Sequence, residues 1–314
     1  MTLYLLRAIM VSLAQFAIVY LGTRLLVAAY WSIQSRRMPS RLSSLSPSTL
    51  YALQLAPFVA ATCVVTVLTL PAFLAFEPMH ADEGLGAPLF IFSSVTIALL
   101  GVGTIRAIRS LWRSSTLIRE WQRNAVAHRH CEGLPVISTG PNSPPLVVAG
   151  LLRPQLFVSA RAAQVLTAEE LRLAIAHESE HVRRRDNIKK LLLRLCSIPS
   201  STIERTWLAS VEVAADTSAV RSEREAIDLA SAIVKASKLT IPTPDLAMNF
   251  AADPSEVLHN RIERLLSWRI PAADKPRRAM EARLGLLITA LASFAVLYPS
   301  LLAGIHEFTE FLVR

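Results

Sequence analysis

Ala176-His177-Glu178-Ser179-Glu180-His181-Val182 holds two histidines four residues apart. On an α-helix such residues share a face, so His177 and His181 can point two imidazoles at one ion. Glu178 leans toward the same cleft, where it could take a proton from water. This His-Glu-x-x-His pattern reads as a zinc site with a built-in general base. The competing reading is a solvated, charged helix face, and Arg183, Arg184, Arg185 and Asp186 just beyond show that such a face exists here.

Upstream, Leu166-Thr167-Ala168-Glu169-Glu170-Leu171 places Thr167 at an N-cap with Glu170 three residues on. That is a capping box, which opens a helix. Leu171, Leu173, Ala174 and Ile175 then bury the helix, as a rigid ligand platform requires. Downstream, Glu212-Val213-Ala214-Ala215-Asp216 sets two acids four apart on a second expected helix. A catalytic zinc takes three protein ligands and keeps one position open. Glu212 is the best candidate for the third ligand, and Asp216 could orient a ligand histidine from behind. These residues favour a metallopeptidase over a bland charged surface.

The 314 residues are 52% hydrophobic, with a mean hydropathy of +0.40, too apolar for an ordinary soluble protein. Net charge is +9, and its basic residues cluster beside apolar segments. That pattern favours an anionic membrane surface as partner over direct contact with nucleic acid, for which basic-aromatic interleaving is absent. Cys63, Cys131 and Cys196 have no paired spacing and imply no disulfide framework, which suits a catalytic part in a reducing cytoplasm.

Four apolar segments are expected to span the membrane. The first covers Leu3 to Ile33 and is read as uncleaved; Leu50–Phe76 and Leu85–Ile105 follow, and Leu284–His306 is the fourth. The loop at 35–49, the segment after Ile105 and the residues before Leu284 are basic, whereas 77–84 is acidic. Positive charge marks the cytoplasmic side. The N-terminus is therefore expected outside, residues 106–283 in the cytoplasm, and Glu307–Arg314 outside.

Within 106–283, Ile105, Ile108, Leu111, Trp112, Ile118 and Trp121 recur at helical spacing among arginines, as a basic amphipathic helix continuing the third span. His128-Arg129-His130-Cys131 is too close-set for a metal site. Short strands are expected at Val136–Ser138, Leu146–Ala149 and Gln155–Val158, a sheet whose edge could also hold substrate. Apolar Ile188–Ile198 is too short to cross the bilayer and could lie along it. Further helices are expected at about Ile203–Val220, Glu225–Lys238 and Val257–Trp268.

Taken together these stretches resemble the BlaR/MecR-type antirepressor metallopeptidases, integral membrane zinc proteases of bacteria. Gly150-Leu151-Leu152-Arg153-Pro154 within Pro144–Ser159 is similar to that family's strand-turn-strand. Leu166–Asn187 resembles its capping box running into His-Glu-x-x-His and Arg-Arg-Arg-Asp-Asn. Glu212–Asp216 resembles its downstream glutamate motif, with Ala215 where cysteine is common, and Arg261-Ile262-Glu263-Arg264-Leu265-Leu266 a later segment. The resemblance covers essentially the whole chain. It implies a mainly α integral membrane protein with four transmembrane helices and a cytoplasmic α+β zincin-like (gluzincin) metallopeptidase domain between spans 3 and 4. Residues 1–105 would hold three spans, 106–283 the peptidase domain, and 284–314 the fourth span and an external tail.

The resemblance further implies that His177, His181 and Glu212 bind Zn2+ and that Glu178 is the catalytic base. His259 and Arg261 are candidates for oxyanion or substrate contacts. The expected activity is hydrolysis of peptide bonds in a cytosolic or membrane-tethered protein, such as a transcriptional repressor, at the bacterial inner membrane. Partners are thus the bilayer and a protein substrate, with a homodimer allowed. Antibiotic sensors of the family continue past the fourth span into a penicillin-binding domain, whereas here only Glu307–Arg314 follow, so the resemblance is to a short member and beta-lactam sensing is not implied. Two alternatives stand beside this reading. One is an HtpX-like quality-control protease, against which Gly150–Pro154 and the three-plus-one spans argue. The other is a non-catalytic membrane signal transducer that uses the zinc fold for docking, against which an intact Glu178 argues.

Overall fold

The structure, a computed structural model, describes residues 2–37, 45–77, 86–123, 125–131, 134–141, 143–198, 201–239, 248–249, 255–269 and 297–311. Its helices are α1 (Thr2–Arg37), α2 (Pro47–Phe76), α3 (Ala87–Arg123), α4 (Ala160–Val165), α5 (Ala168–Arg184), α6 (Asp186–Cys196), α7 (Ser201–Ala219), α8 (Glu223–Ser237), α9 (Ser255–Leu266) and α10 (297–311). The strands are β1 (Ala125–Cys131), β2 (Leu134–Thr139), β3 (Leu146–Ala149), β4 (Gln155–Ser159) and β5 (Met248–Asn249). Among the described residues, α1, α2 and α3 are long and apolar enough to cross a membrane. The expected fourth span, Leu284–His306, lies mostly outside the described residues, and 78–84, residues 38–44 of the loop at 35–49, and 270–283 lie outside them. Helical structure at 297–311 runs on beyond His306, the residue at which that span was expected to end.

The chain divides into two units. One comprises Met1–Arg36, Leu55–Val102 and Pro271–Arg314; the other comprises Arg37–Gln54 and Gly103–Ile270.

In the first unit, small residues let α1 come close to its neighbours: Val11, Ala14 and Ala17 are buried. Ser93 donates its hydroxyl hydrogen bond to the Met10 carbonyl at 2.8 Å, and Thr96 donates to Leu13 at 2.6 Å. These bonds satisfy two hydroxyls inside an apolar bundle and stitch α3 to α1. Leu25, Leu26, Ile91 and Ile97 point outward, as lipid-facing side chains do. In α2, Pro71 has no N–H with which to close an ordinary helical bond onto Val67. The ladder widens there into a π-turn over Val65–Thr69, and the Tyr298 hydroxyl of α10 donates to the Val67 carbonyl at 2.9 Å.

The second unit is α+β. Its sheet has the order β1-β2-β4-β3-β5, with β2 and β4 parallel and the other pairs antiparallel. All four residues of β3 are buried because both faces of the sheet are covered. Leu146 and Val148 share one core with Leu156, Leu173 and Ala174 of α5, and Leu229 and Ile233 of α8. Val147 and Ala149 turn to the other face, against Phe157 and Trp121 of α3. This alternation is the two-residue period of a strand. The aromatic rings of Trp121 and Phe157 meet edge to face at 5.3 Å.

Two glycines are required by close approach. At Gly150 φ is +106°, and a Cβ would stand 2.6 Å from the Arg153 carbonyl oxygen, so the Gly150–Pro154 turn excludes other residues. At Gly103 a Cβ would collide with the backbone carbonyl of Leu195. There α3 presses against the end of α6, and Arg106 donates to the Ser197 carbonyl at 2.8 Å.

Candidate metal centre

α5 begins as its sequence requires. The Thr167 hydroxyl accepts from the Glu170 N–H, and the Glu170 carboxylate accepts from the Thr167 N–H at 2.8 Å. The helix ends at Arg185, which adopts the left-handed conformation (φ +56°) and returns its N–H to the carbonyls of His181 and Val182. Between these caps one face of α5 is polar yet buried, with His177, Glu178 and His181 inaccessible to solvent. Polar groups are buried this completely only where they have partners.

The partners come from three other helices. Nε2 of His177 lies 3.2 Å from Nε2 of His181, 3.4 Å from one Glu212 oxygen, and the other Glu212 oxygen lies 3.6 Å from His181 Nε2. Glu212 is on α7, where buried Trp207, Val211 and Ala215 pack the helix so that its acidic face meets α5. On that face Asp216 places Oδ1 2.9 Å from Nδ1 of His177. Asp186, the first residue of α6, places Oδ2 3.0 Å from Nδ1 of His181. Both rings are therefore gripped from behind by carboxylates, and their Nε2 atoms converge. Arg261 of α9 is buried and spans both acids of α7, with Nε and Nη2 each 2.8 Å from Asp216 and Nη1 2.9 Å from Glu212.

His177, His181 and Glu212 thus form a buried group able to hold a metal ion. For a tetrahedral ion with bonds of about 2.0–2.1 Å, neighbouring donor atoms stand roughly 3.3 Å apart. The His177–His181 and His177–Glu212 separations match that edge length, and the second Glu212 oxygen stands 3.6 Å from His181. An imidazole pair backed by carboxylates is also the donor arrangement that holds such a ion firmly.

Glu178 stands beside this group in a different way. Its Oε2 accepts from the backbone N–H of Val148 in β3 at 3.1 Å, while Oε1 is buried with no hydrogen-bond partner among the described residues. Burial pushes this carboxyl up, to about 8, against the opposing pull of His177. Burial alone would depress His177, but its contacts with Asp216 and Glu212 prevail and hold it at about 9. Burial pushes His181 down. For Glu212 and Asp216 the cost of burial is outweighed by Arg261: Glu212 is held at about 2, and Asp216 well below the usual carboxylate range.

The residues singled out by sequence divide as follows. His177, His181, Glu212, Glu178, Asp216 and Arg261 are gathered at one place. His259 is left on the exposed face of α9, 3.3 Å from Glu263. His128, His130 and Cys131 fall in β1, with side chains outside the described residues. Three participants were missed. The sequence reading puts Asp186 on a charged surface, although a single acid directly after a run of arginines, five residues after the second histidine, is a usable signal. Asn187 donates to the Gly150 carbonyl at 3.2 Å and ties the start of α6 to the end of β3. The Val148 N–H leaves no trace in side-chain identity.

Among curated proteins, none matches the chain. A model of the family described as BlaR1 peptidase M56 matches residues 87–265, more than half the chain and the whole of the described centre. With three helices suited to the bilayer and a buried group able to hold a metal, the chain belongs to the BlaR1 peptidase M56 family of membrane metallopeptidases.

Proposed function

We propose that this protein is a zinc metalloendopeptidase of the bacterial inner membrane, whose zincin-like domain at 106–283 faces the cytoplasm between three spans in 1–105 and a fourth in 284–314. His177, His181 and Glu212 would hold the zinc, and Glu178 would be the base. The observation that carries this reading is the pairing of a converging two-imidazole, one-carboxylate group with a buried carboxylate oxygen that has no partner among the described residues.

The chemistry zinc supplies in such a site is polarisation of the scissile carbonyl and acidification of water, toward a pKa of about 7. The chain's own residues do the rest. Val148 fixes Glu178 Oε2, so that Oε1 can receive a proton from water and pass it to the leaving amine. A cation nearby would draw the high Glu178 pKa back down toward a base's working range. Asp216 and Asp186 hold the histidines in the tautomer that frees Nε2. Arg261 keeps Glu212 and Asp216 ionised and aligned. The substrate we infer is a cytosolic or membrane-tethered protein, such as a transcriptional repressor.

Glu178→Gln tests this. It keeps size and hydrogen bonding but removes the base, so the purified variant should retain its zinc while cleavage of a co-expressed substrate, or of the chain itself, falls about 10²- to 10⁴-fold. A Glu178→Gln protein that cleaved at the wild-type rate would show that Glu178 is not the base, whereas one that lost cleavage and kept the wild-type phenotype in cells would make this a docking module.

A further inference from the structure

A second set of metal-ligating side chains meets in the first unit and shares no residue with the candidate centre. Glu77 closes the end of α2. His306 and Glu310 are four residues apart on α10, hence on one face of that helix. One ligand atom from each, an imidazole nitrogen and two carboxylate oxygens, lies within 4.8 Å of the others. His306 and Glu310 are half-buried, and the Glu77 side chain is almost wholly so.

The surroundings hold these donors in place. Tyr298 of α10 is bonded to the Val67 carbonyl in the π-turn of α2, and eight residues later the His306 ring packs at 5.4 Å on the Phe76 ring. α10 is thus fastened to α2 at two points, along the last turns of α2 and the first turns of α10, and the second contact orients the imidazole. Glu77 has only 5% of its side chain exposed, and Arg7 Nη1 lies 3.7 Å from its Oε1. Two carboxylates and an imidazole converging from two helices are donor types that divalent cations take. One imidazole with two carboxylates suits a borderline divalent ion such as Zn2+ better than Ca2+ or Mg2+, which take oxygen donors alone.

We propose that Glu77, His306 and Glu310 form a second metal site, for Zn2+ or a similar borderline divalent cation. The site joins α2 to α10, so its occupancy would set how firmly these two helices hold together. It does not depend on the peptidase reading.

The test uses the full-length protein in detergent, loaded with Zn2+ alone and freed of loose metal by gel filtration. Wild type should carry two zinc ions per chain, and His306→Ala or Glu310→Gln one. A His177→Ala/His181→Ala protein, with the α5 group disabled, should also carry one, and should lose it when His306→Ala is added. Co2+ loading gives a second readout that needs no disabled centre: the visible spectrum of wild type minus that of His306→Ala should be the spectrum of a bound ion. A wild-type content of one zinc that His306→Ala leaves at one, with no difference spectrum, overturns the proposal. Loss of zinc from the α5 group alone would strike at the proposed peptidase site and leave this one standing.

Discussion

Arg261 shows how a residue can be found by sequence while its partners stay hidden. A lone arginine near a presumed active site suggests an oxyanion donor. In the structure its three nitrogens face Asp216 and Glu212 instead, and only 1% of it is exposed. Its partners lie 45 and 49 positions away in sequence, on another helix, which is why no local pattern discloses them. The histidine pair and Glu178 could be read directly because four-residue spacing is a property of one helix. Asp186 could not, because its approach to His181 depends on a left-handed turn at Arg185. Removing the Arg261 guanidinium leaves two buried carboxylates with, among the described residues, only the histidines against them, an effect worth up to about 3–5 kcal/mol. Arg261→Ala should accordingly lower stability by that amount in denaturant unfolding of the metal-free protein. Arg261→Lys should recover only part of it, since an ammonium keeps the charge without the planar fork. Unchanged stability in Arg261→Ala would mean that the two acids are neutralised in some other way.

At the level of elements, the N-terminus of α5 joins local and distant information in one side chain. The capping box could be read from Thr167 and Glu170 alone. The same Glu170 carboxylate also accepts from Ser231 at 2.6 Å and from Lys235 at 2.7 Å, docking α8 onto the helix that presents the histidines. Nothing in the sequence pairs residues 170 and 235. Although burial would raise it, these partners outweigh that cost and hold Glu170 below the ordinary glutamate value. A carboxylate whose folded-state pKa is depressed stabilises the fold above its unfolded value and loses that contribution as pH falls through the folded one. Glu170→Gln should therefore cost about 1–3 kcal/mol at pH 7. The gap from wild type should close as pH drops below about 4.3 and the carboxylate takes up its proton. Thermal unfolding from pH 7 to pH 3 measures it; a gap that held constant with pH would assign the effect to shape and not to charge.

For the whole molecule, the three long apolar helices were the easier part to read. Crossing hydrocarbon demands about 20 apolar residues in succession, and such runs stand out. Sheet order was harder: β2 and β4 pair in parallel with β3 between them in sequence, and β5 arrives from a residue pair nearly 100 positions after β3. β1, with Arg129 and two histidines among alanines, has no alternating apolar pattern to announce it. Orientation rests on charge. α3 carries Arg106, Arg109, Arg113, Arg119 and Arg123 in its second half, whereas Glu77, Asp82 and Glu83 stand between the second and third apolar runs. Lys and Arg beside a span resist translocation, whereas acids contribute little, so the proposed topology has the end of α3 in the cytoplasm and the segment after α2 outside. Truncated chains carrying a reporter that is active only outside the cytoplasm should separate cleanly: high activity when fused after Glu83, background when fused after Arg123. Replacing Arg106, Arg109 and Arg113 together by glutamine should weaken that asymmetry and raise the second signal. A reporter active after Arg123 in the native sequence would put the α5 centre outside the cell and exclude a cytosolic repressor as its substrate.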